Sequence, residues 1–263
     1  YGSSPGRKVL VFSGWRFVPK AVAVILSRLA SDRAGGADEE FATQPLRFTE
    51  RISFHTFDVC FPTVALATAG GEAFRATRNG SHEQTAEGLW NAATSSLRRR
   101  LSSSNIELSE VSDPMWQIVM RLDSTAQDPR WIRATLDSWA QNAKLDGSSE
   151  AVELHRQRLL EWLADCDRPL RISESRLNRL SLIAAFSPAC ALLRALFSNF
   201  PEDSVEALAQ EVAVVTLGPL RKYFNRPHVQ RIIRGHKPTL APMGKLGSKE
   251  KGFAERVLYY AAE

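Results

Sequence analysis

The sequence predicts a mainly α fold with a small α/β part, in which an N-terminal β-α unit is followed by a multi-helix body. Two observations carry that expectation. Lys8-Val9-Leu10-Val11-Phe12-Ser13 is a short, nearly continuous apolar run, the pattern of a strand buried on both faces of a parallel sheet. From about residue 84 to the end, apolar residues recur almost throughout at helical spacing, broken by Pro, Gly and Ser-rich stops.

After the strand, Pro19 suits a first helical turn, and Val18, Val22, Ile25, Leu26 and Leu29 form one apolar stripe, which completes a β-loop-α unit over residues 1–33. Residues 34–83 read as a linker: Gly35-Gly36 and the acidic Asp38-Glu39-Glu40 open it. Leu46-Arg47-Phe48 and Ile52-Ser53-Phe54 read as short strands within it, and 61–69 as a short helix. The helical body spans 84–263. Ala86, Leu89, Trp90, Ala93 and Leu97 share one stripe, with Arg98-Arg99-Arg100 in the last turn, where positive charge suits the helix dipole. Asp128-Pro129 reads as a cap and first turn for a stripe of Ile132, Leu136, Trp139, Ala140 and Ala143. Further helices are expected at about 149–164, 174–186, 188–198, 204–218, 227–234 and 249–263. A single parallel strand cannot stand alone, so the other strands of its sheet are expected outside this sequence or after the helical segment. Tyr1 and the amphipathic pattern still running at Glu263 likewise read as a chain cut at both ends.

Composition narrows the function classes. Hydrophobic residues are 44% and charged residues 24% of the 263, the range of an ordinary folded domain rather than a disordered or membrane-embedded chain. No apolar run reaches the roughly 20 residues of a membrane-spanning helix, so no membrane partner is expected and a cytoplasmic location is the default. Cys60, Cys166 and Cys190 lack paired spacing and read as small hydrophobes, and no His or carboxylate cluster has metal-ligand spacing. No nucleophile-base pair can be assembled, so no catalytic residue is assigned. The net charge of +5, with arginine well in excess of lysine, suits phosphate contacts but is mild for this length.

The most informative site is Phe12-Ser13-Gly14-Trp15-Arg16-Phe17, because ligands of open α/β sheets bind beyond the carboxyl ends of the strands. Ser13, Trp15 and Arg16 would bring a hydroxyl, an aromatic face and a guanidinium to that crevice, a set suited to nucleic-acid phosphate and base contact. Ser13 lacks the flanking glycines of a nucleophile elbow, and Gly244-Lys245 lacks the Ser or Thr that would end a phosphate-binding loop. Arg226, Arg231, Arg234 and Lys237 make a second, basic patch in the C-terminal third. Arg98-Arg99-Arg100 reads as a solvated helix end, and Trp116, Trp131, Trp139 and Trp162 as core.

The run from Lys8 to Ala21 resembles the start of the second RecA-like lobe in large bacterial superfamily-two helicases related to the Swi/Snf translocases, whose pattern there is close to KVLVFS-x-[WF]-x-x-[VT]-P-[KR]-A. The stretches 184–196 and 223–229 resemble segments of the insertion those proteins carry, and 257–263 resembles the stretch just before the lobe resumes. The match is loose from about 34 to 170, and Gly14 departs from the commoner larger or polar residue. The resemblance implies helicase motif IV at Ser13, Trp15 and Arg16, with DNA or RNA and the rest of the helicase chain as partners. It implies ATP and Mg as cofactors of the parent only: the phosphate loop, DEAH-type box and arginine-finger motif of the family belong outside this sequence, and this segment alone should be inactive. The alternative is a non-enzymatic helical interaction module that binds nucleic acid or a protein partner.

Overall fold

The computed structural model describes residues 46, 48, 54–80, 85–126, 129–144, 149–165, 168–197, 205–226, 229–230, 232–233 and 253–262. All belong to one compact unit, Phe41–Glu263. The strand and helix expected over 1–33 lie outside the described residues.

The order is α1 (His55–Cys60), α2 (Val64–Arg78), α3 (Ala86–Ser103), β1 (Ile106–Leu108), α4 (Met115–Ala126), α5 (Pro129–Lys144), α6 (Ser149–Ala164), β2 (Leu170–Ile172), α7 (Glu174–Phe186), α8 (Pro188–Phe197), α9 (Val205–Val215), a π-helical turn (Thr216–Leu220), α10 (Arg221–Phe224) and α11 (Phe253–Ala262). The described part is thus mainly α. Its helices begin where local chemistry supplies missing acceptors: the hydroxyls of Thr63, Thr85 and Ser173 accept from the amides of Leu66, Gly88 and Arg176. Pro129 and Pro188 open α5 and α8, where a missing N–H costs nothing.

Two readings between 46 and 69 are corrected. No strand forms at Leu46, Phe48 or Phe54. The backbone of Leu46 is instead claimed by a side chain, since its N–H donates to Asn225 Oδ1 at 2.9 Å and its C=O accepts from Asn225 Nδ2 at 2.8 Å. The helix read at 61–69 starts later and runs longer, as α2 (Val64–Arg78), behind the extended Phe61 and Thr63; α1 precedes it and was not expected.

The small α/β part among the described residues is a two-stranded parallel sheet, β1 beside β2, with Ile106 opposite Leu170 and Leu108 opposite Ile172. Periodicity reads this stretch as part of a helical run. Strands of three residues are too short to show alternation, and the crossover between them is supplied by α4, α5 and α6.

An aromatic core ties the body together. Phe57 lies within 5.0–6.0 Å, ring centre to ring centre, of Phe48, Phe61, Trp116, Trp139 and the His155 imidazole. Phe54 packs on Trp162 at 5.1 Å. Each such ring, once buried, contributes on the order of 1.5–3 kcal/mol. A second core forms where α2 crosses α7. Gly70 is required there, because a Cβ would stand 2.1 Å from the Ala184 carbonyl oxygen.

No single helix among the described residues is long and apolar enough to cross a membrane. The pair α7 and α8 passes that test only when joined across a 51° bend, and most of α7 is buried in the core.

Candidate nucleic-acid interface

Arginines reach a phosphate only if their guanidinium groups are not already taken. The triplet Arg98-Arg99-Arg100 at the end of α3 is taken. Arg98 Nη2 lies 2.7 Å from both carboxylate oxygens of Glu174, and Arg99 and Arg100 converge on Glu72. Burial disfavours the charged form of Glu72, but the Ser96 hydroxyl, at 2.5 Å, and the two guanidinium groups outweigh it and hold the carboxyl below its usual range. The triplet therefore clamps α3 to α2 and α7: Arg98 and Arg99 are solvated as expected of a helix end, but all three are also in ion pairs.

Of the basic C-terminal patch, Arg226 is described and Arg231, Arg234 and Lys237 lie outside the described residues. Arg226 is half-buried at the end of α10; its N–H donates to the Tyr223 carbonyl and its own carbonyl accepts from the Gln230 amide. Ser13, Trp15 and Arg16 also lie outside the described residues, as do Cys166 and the side chain of Trp131. Trp116 and Trp139 are 2% and 1% exposed, which makes them core rather than stacking platforms.

The polar residues that the structure does bring together are buried tethers. Asp58, 1% exposed, sits between the Trp116 indole N–H at 2.9 Å and Arg179 Nη2 at 2.5 Å, with His55 Nδ1 3.9 Å away at the surface. Arg221 lies over the Phe48 ring at 5.3 Å and donates to the Leu217 and Leu46 carbonyls, and with Asn225 it pins Leu46 to α10. Asp123 is fully buried; one oxygen accepts from the Ala65 amide at 2.8 Å and the other has no hydrogen-bond partner. Burial raises its pKa to about 7, against the pull of the Ala65 and Val64 amides.

Sequence reading missed these residues, although a signal exists. Asp58 occupies a core position of the stripe Phe54, Phe57, Phe61, and Asp123 falls one turn after Val119 and Met120 on the Trp116 stripe. A charged residue on an apolar stripe marks a buried polar tether in both cases.

None of these groups is arranged for covalent chemistry. Burial pushes the Cys60 thiol up to about 12 and the Cys190 thiol upward as well, so neither is a thiolate near neutral pH. Among the described residues no three His, Cys, Asp or Glu side chains are placed to hold a metal ion. Nor does any described segment offer a Gly-rich loop before a helix to cradle a nucleotide phosphate; the Gly244-Lys245 pair lies outside the described residues. The described residues do not fit an ATP site.

An unpaired strand edge stands at the two-stranded sheet. The Leu170 amide donates to the Asn105 carbonyl and the Ser109 amide to the Ile172 carbonyl, so Asn105, Glu107 and Ser109 point their backbone groups at β2. In a parallel ladder the intervening Ile106 and Leu108 then point theirs away, toward the outer edge. The outer edge of β2 is closed by Asp113, whose N–H donates to the Arg171 carbonyl and whose carboxylate accepts from the Arg171 amide at 2.7 Å. No such partner stands at the outer edge of β1, among the described residues. A shallow groove runs along it, walled on the far side by Arg98, Leu101 and Ser102 of α3.

Comparison with protein-family models, with curated proteins and with solved structures yields no match to this chain.

Proposed function

We propose that this chain is a segment of an ATP-dependent nucleic-acid helicase or translocase, to which it contributes the motif IV region of the second motor lobe and an accessory helical body. The reading rests on a single observation, the similarity of Lys8–Ala21 to the opening strand, loop and helix of that lobe. In it, Ser13, Trp15 and Arg16 contact nucleic acid where the two lobes meet, and the helical body steers the substrate or a partner protein. ATP and Mg belong to the parent, and no step of hydrolysis is assigned to residues of this segment.

Arg16→Ala in the full-length parent should lose most of the DNA-stimulated ATPase while leaving the unstimulated rate intact, since a phosphate contact couples binding to turnover without touching the nucleotide. Stimulation equal to that of the unmodified protein would remove the loop from the mechanism.

The second reading, a non-enzymatic interaction module, is favoured by one observation. Leu108, 49% exposed, lies on the open edge of β1, and an exposed aliphatic side chain at an unpaired edge suits a polypeptide better than a nucleic acid.

A further inference from the structure

The sheet is asymmetric in its protection. One edge is sealed by the chain itself through Asp113, whereas the other leaves the N–H and C=O groups of Ile106 and Leu108 facing a groove. An edge of that kind is a template for another strand, because main-chain hydrogen bonds supply affinity and alternate side chains supply selection. The groove is open at Leu108, which is 49% exposed, and closes at Ile106, which is 4% exposed. An incoming strand would therefore enter from the Leu108 end.

The surrounding charges select the visitor. Arg98, on the far wall, is paired through Nη2 with both carboxylate oxygens of Glu174. Glu107, on the strand, and Glu110, two residues beyond it, make no ion pair or hydrogen bond among the described residues. Arg171, opposite Glu107 on β2, makes no ion pair among the described residues and offsets part of that charge. The unengaged groups at and just beyond the edge are acidic on balance, and the adjoining side chains Leu101 and Leu108 are aliphatic.

From this juxtaposition we infer that the outer edge of β1 binds an extended polypeptide segment by strand addition, with an aliphatic side chain entering the groove against Leu101 and basic side chains meeting Glu107 and Glu110. The inference is independent of the motor reading, and failure of the Arg16→Ala experiment would leave it intact.

Amide hydrogen exchange of the full chain tests it, using as probe a blocked nonapeptide of alternating lysine and valine. Binding should slow exchange at the Leu108 amide by about ten-fold or more, while amides of the α5 surface are unchanged. The same peptide with alternate backbone nitrogens methylated should give no protection in one of its two registers, and a glutamate-valine peptide should protect at least about five-fold less. Glu107→Lys with Glu110→Lys should reverse that preference, and because both side chains are solvated the double variant should fold. Unchanged exchange at Leu108 under saturating lysine-valine peptide overturns the inference, as does protection indifferent to peptide charge. Protection that rises with protein concentration in the absence of peptide overturns it in favour of a second copy at the same edge.

Discussion

The Asp58 carboxylate is held beneath the Arg179 guanidinium at 2.5 Å, joining α1 to α7, while the Trp116 indole of α4 takes its other oxygen. The pair is lopsided, since Asp58 is buried and Arg179 is 31% exposed. Removing the partner that can reach water should therefore cost more than its own contacts suggest. Arg179→Met is expected to destabilise by roughly 3 kcal/mol, because it strands a buried carboxylate, and the further change Asp58→Asn in that background should recover part of the loss. Urea midpoints of the two single variants and the double variant measure this; strictly additive losses would mean the two groups are not coupled.

Gly70 and Gly71 are neighbours on α2 with opposite demands. A Cβ at Gly70 meets the Ala184 carbonyl oxygen at 2.1 Å, but one at Gly71 finds its nearest neighbour, Arg194 Cγ, at 3.5 Å. Gly70→Ala should lower stability by about 2 kcal/mol or more through forced separation of α2 and α7. Gly71→Ala should be neutral or stabilising by up to about 1 kcal/mol, as expected for alanine in a helix interior. Thermal midpoints moving in the same direction for both would contradict the crossing.

Asp123 makes stability depend on pH near neutrality. Its folded pKa is about 7 against an ordinary 3.8, so between those values the folded chain keeps a proton that the unfolded chain releases. The stability this contributes is complete below the unfolded value and is lost as pH rises through the folded one. Between about pH 5 and pH 7 the loss should amount to roughly 2–3 kcal/mol. Asp123→Asn, which keeps an acceptor for the Ala65 amide, should flatten that part of the profile in chemical denaturation at a series of pH values. An unflattened profile would locate the titration elsewhere.

The thiols of Cys60 and Cys190 should resist alkylation in the folded protein. Both are buried and both are held protonated. Iodoacetamide followed by peptide mass analysis should find these two sites modified only after denaturant is added, with labelling that follows the unfolding transition. Rapid labelling of either in native buffer would show that the core around α1 and α8 opens locally.

Helix periodicity was legible in the middle of the chain: α6 and α7 fall at 149–164 and 174–186, as the spacing of their apolar residues predicts, and α8 ends one residue short of the expected 198. Such stripes are local, because one face of one helix is enough to define them. The triplet Arg98-Arg99-Arg100 was legible as a helix end for the same reason, though the sequence could not reveal that Glu72 and Glu174 neutralise it. The motif IV residues and three of the four basic-patch residues fall outside the described part.

By itself, then, the sequence determined where α6, α7 and α8 lie and that Trp116 and Trp139 would be core. Tertiary structure decided what depends on partners distant along the chain. Leu46 is claimed by Asn225, 179 positions away, and Asp58 by Arg179, 121 away. The strands Ile106–Leu108 and Leu170–Ile172 exist only because three intervening helices carry one back beside the other. A strand that short has no internal hydrogen bonds to announce it, so its existence and its open edge arise only from the neighbour that pairs with it.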